Sequence, residues 1–225
     1  CEGGDQIYLE HALRNEPVTY WQDITDGVCS FKADVLEHGV RDQDKHCLAA
    51  ALDEVGDLGF SLDLCKDFRT VIQAGGNIGV YPLALAEKFA VVYTVEPDVD
   101  NFEALEANTC NARNIVSRRA AFGRVHGRAA IDRIYPDNIG AHQVKEGNEF
   151  AVIPIDSLGV TDCDFLQLDV EGSEHEALLG AIATIEAGWP VITLELKGLG
   201  ERYGYTDNET VTWLKFMGYS IADRV

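Results

Sequence analysis

Short apolar runs alternate with amphipathic stretches along the chain from residue 70 onward. Unbroken apolar runs are typical of strands buried on both faces of a sheet, and apolar residues at helical spacing are typical of helices that cover one. The alternation therefore predicts strand–helix–strand units and a mostly parallel sheet. The predicted strands are TVIQA, VVYTV, IVSRRAAF, DFLQLDV and PVITLEL, and the predicted helices are YPLALAEKF, DVDNFEALEANTCNA, EHEALLGAIATIEA and TDNETVTWLKFMG.

Two segments depart from this alternation. Residues 1–66 show no regular period outside DQDKHCLAAALDEVGDL, where Leu48, Leu52 and Val55 share one face of a predicted helix. We expect this segment to form an N-terminal helical cap on a main domain that spans residues 67–225. Residues 124–155 are polar and contain glycine before the run NEFAVIPI, which predicts a hairpin-like insertion.

The predicted turn between the first strand and the first helix contains Gly75, Gly76 and Gly79. Such a turn lets a ligand approach the backbone closely, and it leaves the unpaired N–H groups of the helix facing that ligand. A dinucleotide fingerprint that begins at Gly75 would need glycine in place of Asn77 and Val80, so this register fails. A tight turn without a ligand is the alternative interpretation.

The second predicted strand leads into Glu96, twenty-one positions after Gly75. A carboxylate at this place in a βαβ unit can accept hydrogen bonds from both hydroxyl groups of a ribose. Together with the failed dinucleotide register, this indicates an adenosine-like ligand without a pyrophosphate. The alternative is a surface glutamate at a strand end.

These motifs resemble those of the FkbM-type group of class I S-adenosylmethionine-dependent methyltransferases, over residues 70–220. The family's Asp-x-Gly-Ala-Asn-x-Gly turn and the Glu-Pro pair after its second strand have counterparts here. A more specific stretch, IDSLGVTDCDFLQLDVEGSEHEALLGA, resembles the family's Asp-x-Leu, Asp-hydrophobic-Glu-Gly-x-Glu and Leu-x-Gly series. The residues at the corresponding positions are Gln73, Gly75, Gly76, Asn77, Gly79, Glu96, Pro97, Asp156, Leu158, Asp169, Glu171, Gly172, Glu174, Leu179, Gly180 and Glu195.

The resemblance implies a Rossmann-like class I methyltransferase fold with a mostly parallel sheet of six or seven strands, and S-adenosylmethionine as cofactor. The family's sheet ends in an antiparallel hairpin, whereas this chain offers one candidate strand in MGYSIADRV. We therefore expect the last strand to come from elsewhere or the sheet to be shortened. The implied cofactor-binding residues are Gln73, Ala74, Gly75, Gly76, Asn77, Gly79, Glu96, Pro97, Ala121, Phe122 and Asp169.

Two positions depart from the family's pattern, because Gln73 replaces its acid and Gly76 its alanine. Glutamine keeps the hydrogen-bonding reach of the acid but not its charge, which predicts weaker cofactor binding.

Candidates for catalysis lie where the fourth predicted strand ends. A hydroxyl acceptor must lose its proton during methyl transfer, which calls for a carboxylate or imidazole near the carboxyl ends of the strands. Asp169 is the first candidate, Glu171 is a second, and His142, in a loop similar to one that covers the family's acceptor pocket, is a third. Glu171 and Glu174 alternatively supply charge to the first turn of the next helix. We assign no metal.

The predicted activity is O-methylation of a hydroxyl group on a sugar, glycan or small natural product. An N-methyltransferase, a degenerate domain that binds a nucleoside or a protein, and a nicotinamide-dependent dehydrogenase are the alternatives. A formal net charge of −20 disfavours nucleic acid and anionic membranes as partners. Six cysteines without metal-site spacing, and no apolar run long enough to span a membrane, favour the cytoplasm. A homodimer is compatible with the sequence.

Overall fold

A computed structural model describes residues 5–11, 58–133 and 142–224 of the chain. The strands are β1 Asp5–His11, β2 Thr70–Ala74, β3 Val91–Val95, β4 Ile115–Arg118, β5 Ala120–Phe122, β6 Gly127–Asp132, β7 Gln143–Glu146, β8 Phe150–Ile153, β9 Cys163–Leu168, β10 Val191–Leu196 and β11 Tyr219–Arg224. The helices are α1 (residues 58–64), α2 Val80–Ala86, α3 Val99–Thr109, α4 Glu174–Leu179, α5 Ile182–Gly188 and α6 Asp207–Phe216, with 3-10 turns at Ile155–Leu158 and Leu199–Tyr203.

Seven of the described strands form one sheet in the order β11-β1-β10-β9-β2-β3-β4. The five neighbouring strands from β10 to β4 are parallel. Each carries the apolar run that the sequence pattern identified, and β2 and β3 have the predicted boundaries. The mostly parallel, helix-covered sheet of the Rossmann-like class is therefore confirmed.

The antiparallel strand beside β10 comes from the start of the chain. Strand β1 pairs antiparallel with β10 on one side and with β11 on the other, with Ile7 opposite both Leu194 and Arg224. Residues 5–11 belong to the segment predicted as a helical cap, but here they complete the sheet. Of the two outcomes left open by the sequence, a last strand supplied from elsewhere is the one observed.

Each face of the main sheet buries its own cluster of side chains. On one face Val71, Val92 and Phe165 pack against α1 and α2. On the other face a larger cluster includes Ile72 and Leu166 together with apolar residues of α4, α5 and α6. Because side chains alternate along a strand, residues 71, 73, 165 and 167 face α1 and α2. The carboxyl ends of the parallel strands carry the candidate functional residues.

The insertion forms a second, four-stranded sheet in the order β5-β8-β6-β7. The stretch IVSRRAAF, predicted as one strand, is two: β4 ends the main sheet at Arg118, and β5 pairs with β8 instead. Arg118 and Arg119 are exposed, whereas Ala120 and Phe122 are buried, so the chain turns inward between them. The second sheet thus continues directly from the end of β4.

The stretch EHEALLGAIATIEA, predicted as one helix, is also divided. Helix α4 ends at Gly180, where a Cβ atom would lie 2.2 Å from the carbonyl oxygen of Gly123. Asp156 accepts hydrogen bonds from the amides of Ala183 and Thr184 at the start of α5, at 3.1 and 2.8 Å. A tight backbone contact and a side-chain cap therefore separate the two helices.

Most of the predicted N-terminal cap, including the helix in DQDKHCLAAALDEVGDL up to residue 57, lies outside the described residues. Within the residues that the structure describes, no helix has the length and apolar character to cross a membrane. The division into cap and main domain stays a prediction.

Candidate active site

The glycine turn after β2 is held between the ends of β3 and β9. Gly75 has φ +84°, and a Cβ atom there would lie 1.9 Å from the carbonyl oxygen of Asp169. Glycine is therefore required both by the backbone conformation and by the contact. The amides of Gly75 and Gly76 donate to the carbonyl of Val95, at 3.2 and 2.9 Å. The turn thus adjoins both strands that lead into the predicted functional carboxylates.

Gln73 fixes this turn through its side-chain amide. The side chain is fully buried, and its Nε2 donates to the carbonyl oxygens of Ala74 and Gly75, at 3.1 and 2.9 Å. Its Oε1 accepts a hydrogen bond from the hydroxyl group of Thr94. A carboxylate has no proton to donate to the two carbonyl groups, so glutamine does here what the family's acid could not. Weaker cofactor binding because of Gln73 remains a prediction.

The second departure from the family's pattern lies against the first. A Cβ atom on Gly76 would lie 2.7 Å from Oγ1 of Thr94 and 2.5 Å from Cδ1 of Leu105. Thr94 is the residue that donates to Gln73, so its hydroxyl group cannot turn away without breaking that hydrogen bond. Gln73, Thr94 and Gly76 therefore form one local arrangement, in which glutamine and glycine belong together.

Glu96 is buried at the end of β3, with backbone donors on both oxygens. Oε2 accepts from the amide of Asn77 at 2.8 Å, and Oε1 accepts from the amide of Asp98 at 2.9 Å. Burial raises the pKa of Glu96 to about 7, against the opposing effect of these hydrogen bonds. Each carboxylate oxygen keeps a second lone pair for a ligand hydroxyl. The ribose contact predicted for Glu96 is compatible with this geometry and stays a prediction.

Asp98 connects the segment that follows β3 to the insertion. It caps α3 through the amides of Asp100 and Asn101, and its Oδ2 lies 2.6 Å from a guanidinium nitrogen of Arg133. His142 Nδ1 is 3.2 Å from the same oxygen, although neither nitrogen of this buried ring makes a well-directed hydrogen bond. Burial would raise the pKa of Asp98, but the contacts with His142, Arg133 and the helix amides hold it well below its usual range.

Asp169, Glu171 and Glu195 bring carboxylate oxygens within 4.8 Å of one another at the ends of β9 and β10. Burial first, and then the charge of Glu195, raise the pKa of Asp169 well above its usual range. The ammonium group of Lys197 lies 2.8 Å from Glu195 Oε2 and 3.5 Å from Glu171 Oε1. Ion pairing raises the pKa of Lys197 although burial opposes it. A cationic group of the protein thus already neutralises part of the cluster, and the absence of a metal stays a prediction.

Glu174 holds the loop between β9 and α4. Its Oε1 accepts from the amides of Val170 and Gly172, both at 3.1 Å, and burial raises its pKa to about 7. Glu171 has φ +52°, a left-handed conformation that is unfavourable for a residue with a side chain. Glu174 therefore serves more than the helix dipole, because it fixes the strained loop that presents Glu171.

The structure separates the predicted site residues into two groups. Gly75 and Asp169 are in direct contact, and Glu171 lies beside Asp169, whereas His142 contacts Asp98 at the Glu96 end. Ala121 and Phe122 are both buried in β5; Ala121 packs within the second sheet and Phe122 within the main core. Their predicted contact with adenine stays a prediction, as do the catalytic assignments.

Sequence reasoning missed the environment of Asp169. The family motif points to Glu195 only as the residue that ends a strand, and no motif includes Lys197. The spacing in LELK could have indicated their proximity, because Glu195 and Lys197 are two residues apart and so lie on the same face of β10 and its extension. Asp98 and Arg133 were also missed, since nothing in the sequence relates two residues 35 positions apart.

Comparison with known proteins identifies the class. The methyltransferase FkbM domain matches residues 73–221. The chain therefore belongs to the FkbM methyltransferase family, whose cofactor is S-adenosylmethionine.

Solved structures with a similar chain path include the methyltransferase FkbM of Methylobacillus flagellatus KT, with 18% identity, 87% of this chain and 54% of that chain covered, and a TM-score of 0.47. The present chain spans about half the length of that protein. Precorrin 8W decarboxylase from Methanobacterium thermoautotrophicum has 15% identity, 80% and 74% coverage and a TM-score of 0.41. Phosphoethanolamine N-methyltransferase 1 from Haemonchus contortus has 14% identity, 73% and 30% coverage and a TM-score of 0.37. No curated protein matches the chain.

The described residues fit S-adenosylmethionine. Buried Oδ1 of Asn77 and Oε1 of Gln167 have no hydrogen-bond partner within the described part of the chain. Asn77 adjoins Glu96, and Gln167, in β9, lies two residues before Asp169. Unpartnered acceptors next to carboxylates suit a ligand that carries hydroxyl, ammonium and sulfonium groups.

Proposed function

We propose that the protein transfers the methyl group of S-adenosylmethionine to a hydroxyl group of a sugar, glycan or small natural product, with Asp169 as general base. The observation that carries this proposal is the position of Asp169, whose backbone touches the glycine turn and whose carboxyl group lies near those of Glu171 and Glu195. A carboxyl group whose pKa is raised accepts a proton more readily than an exposed one. When bound, the cofactor supplies a methyl group on a positively charged sulfur.

The remaining roles follow from the two ends of the glycine turn. The Glu96 carboxylate accepts hydrogen bonds from the ribose, and the backbone of the turn lies along the cofactor. Asp169 takes the proton of the acceptor hydroxyl as the oxygen forms its bond to the methyl carbon. Glu195 and Lys197 position Asp169. His142 holds the insertion against Asp98, and in this proposal it is not the base.

N-methylation is the second candidate, and the charge around Asp169 favours it. Three carboxyl groups meet one ammonium group there, which suits an acceptor that arrives as a protonated amine. A degenerate, non-catalytic domain has less support than it had from the sequence. Its motivating feature was Gln73, which has a structural task in the turn. The cytoplasmic location and a homodimer stay predictions.

The test combines binding and transfer. S-adenosylmethionine and S-adenosylhomocysteine are titrated into the protein by calorimetry, and methyl transfer from radiolabelled cofactor is measured over a panel of polyols, sugars and amines. We expect Glu96→Ala to weaken cofactor binding about tenfold or more, because a buried hydrogen-bonding carboxylate is lost. Asp169→Asn should bind the cofactor and transfer no methyl group.

Glu186→Gln, on the exposed side of α5, is the matched control and should equal the unmodified protein in both assays. Full transfer by Asp169→Asn would exclude Asp169 as the base. Unchanged affinity of Glu96→Ala would remove the ribose assignment. Transfer to amines alone would favour the second candidate.

A further inference from the structure

Asp169 and Glu195 bring carboxyl oxygens within 4.8 Å of one another at the ends of two neighbouring strands. Two ionised carboxylates this close repel each other, so one of the two groups retains a proton more readily than an isolated carboxyl group does. The ammonium group of Lys197, 2.8 Å from Glu195 Oε2, stabilises the negative charge on Glu195. The proton of the pair therefore lies on Asp169.

The groups that face this pair favour retention of the proton. On the loop after β9 are Glu171, whose Oε1 lies 3.5 Å from Lys197 Nζ, and Glu174; on β10 and its extension are Glu195 and Lys197. Of these four described groups, Lys197 carries a positive charge and the other three are carboxyl groups. Ionisation of Asp169 would therefore bury another negative charge among existing ones.

The pair lies beside the glycine turn. Gly75 touches the backbone of Asp169, and the Asp169 amide donates to Ala74 at 3.2 Å, so glycine turn and pair are in contact. A second observation, at a residue of β9 two positions before Asp169, points to a ligand nearby. Gln167 is 2% exposed, and its Oε1 has no hydrogen-bond partner in the described chain. A buried acceptor without a donor indicates that a bound molecule supplies one.

We propose that the Asp169–Glu195 pair holds one proton in the free protein, releases it when the sulfonium-bearing cofactor binds, and regains a proton from the acceptor hydroxyl during methyl transfer. The inference rests on the proposed function, since it places the pair beside the cofactor. A neighbouring positive charge lowers the pKa of an aspartate by about 1 to 3. S-adenosylmethionine carries a positive charge on sulfur and the thioether product does not. The pair therefore loses its proton in the presence of that charge and holds a proton when the charge is gone.

The proton balance is complete without another reactant. Cofactor binding sends the proton of Asp169 to solvent. In the transfer step the carbon–sulfur bond breaks and its electron pair stays on sulfur, the acceptor oxygen bonds to the methyl carbon, and the hydroxyl proton moves to Asp169. The neutral thioether product then lies beside a protonated pair, as in the free protein. One proton is released per turnover, in the binding step.

Calorimetry without an acceptor tests this inference. The full chain is titrated with S-adenosylmethionine and with S-adenosylhomocysteine at about pH 6, 7 and 8, all above the usual pKa of an aspartate. Each titration is repeated in phosphate and in Tris, because the difference in observed heat gives the number of protons released. We expect about one more proton released with S-adenosylmethionine than with S-adenosylhomocysteine at one or more of these pH values. Glu195→Gln should abolish this difference, and Glu186→Gln should preserve it.

Difference infrared spectroscopy of the unmodified protein gives a second readout, which does not depend on a variant that folds. The carbonyl band of a protonated carboxyl group should disappear when S-adenosylmethionine is added and should persist with S-adenosylhomocysteine. Equal proton release by the two ligands at all three pH values would overturn the inference and leave the proposed methyl transfer intact. Binding of neither ligand would overturn both.

Discussion

Replacement of Gln73 by glutamate separates the structural account of this residue from the one that the sequence suggested. From the sequence, an acid at this position restores the family's charge and strengthens cofactor binding. From the structure, the amide group of Gln73 donates to the carbonyls of Ala74 and Gly75, and a carboxylate would set an oxygen 2.9 to 3.1 Å from both. We expect Gln73→Glu to destabilise the turn.

The magnitude follows from the two carbonyl groups that lose their donor. A buried acceptor left without a partner costs about 1 to 3 kcal/mol, so the free energy of unfolding should fall by about 4 kcal/mol. At about 2 to 4 °C per kcal/mol for a chain of this size, the melting temperature should fall by about 10 °C. The new carboxyl group is fully buried, so its pKa in the folded protein is raised. The loss should therefore shrink as the pH falls, because a protonated glutamate can again donate one hydrogen bond.

The assay is urea unfolding at about pH 5 and 8, combined with calorimetric titration of S-adenosylmethionine. Gln73→Met keeps the size without the hydrogen bonds and should lose stability equally at both pH values. Gln167→Glu places a carboxyl group at a neighbouring buried position and controls for charge burial alone. A Gln73→Glu variant as stable as the unmodified protein at pH 8, with tighter cofactor binding, would refute the structural reasoning and support the argument from charge.

Three further predictions concern stability. Glu174→Gln should raise the free energy of unfolding at about pH 8 by up to about 3 kcal/mol. The pKa of Glu174 is raised from 4.5 to about 7 in the native protein, so the stability gained from its protonated form is lost as the pH rises between these values. Thermal melts that show the same pH dependence in both proteins would contradict this. Gly76→Ala should cost about 1 to 3 kcal/mol, and a double-mutant cycle with Thr94→Ala should show coupling above ~0.5 kcal/mol, whereas strict additivity would separate the two positions. Ile7→Pro should destabilise by about 3 kcal/mol or more, since β1 is paired along both edges, and an unchanged urea midpoint would mean that β1 contributes no pairing.

The sequence predicted the parallel strands well because their signal is local. Strands such as β2 and β3 are buried on both faces and read as unbroken apolar runs between polar boundaries. Strand β1 was missed since its partners β10 and β11 lie some 180 residues or more further along the chain. The break in EHEALLGAIATIEA was missed for a related reason, because it depends on the backbone of Gly123 rather than on the helix's own sequence.

The candidate site divides in the same way. The positions of Glu96 and Asp169 follow from spacing, because a residue that ends a parallel strand lies at the sheet's carboxyl edge. Their protonation does not follow from spacing, since it depends on burial and on charges from other strands, above all Glu195 and Lys197. His142 could likewise be recognised from the sequence as a candidate base. Its contact with Asp98 could not be foreseen, because it joins residues far apart in the chain.

The insertion is fixed to both halves of the crevice by the residues on either side of positions 134–141. On the cofactor side, Arg133 and His142 both reach Oδ2 of Asp98, two residues beyond Glu96. On the side of β10, Arg202 donates to Asp132 at 2.7 Å and to Gln143 at 2.5 Å. Arg202 belongs to the segment that follows Lys197. The ends of β6 and β7 therefore connect the loop after Glu96 to the loop after Glu195. A change in acceptor specificity that leaves cofactor binding intact should therefore be sought in β6 and β7, because these contacts tie both strands to the site.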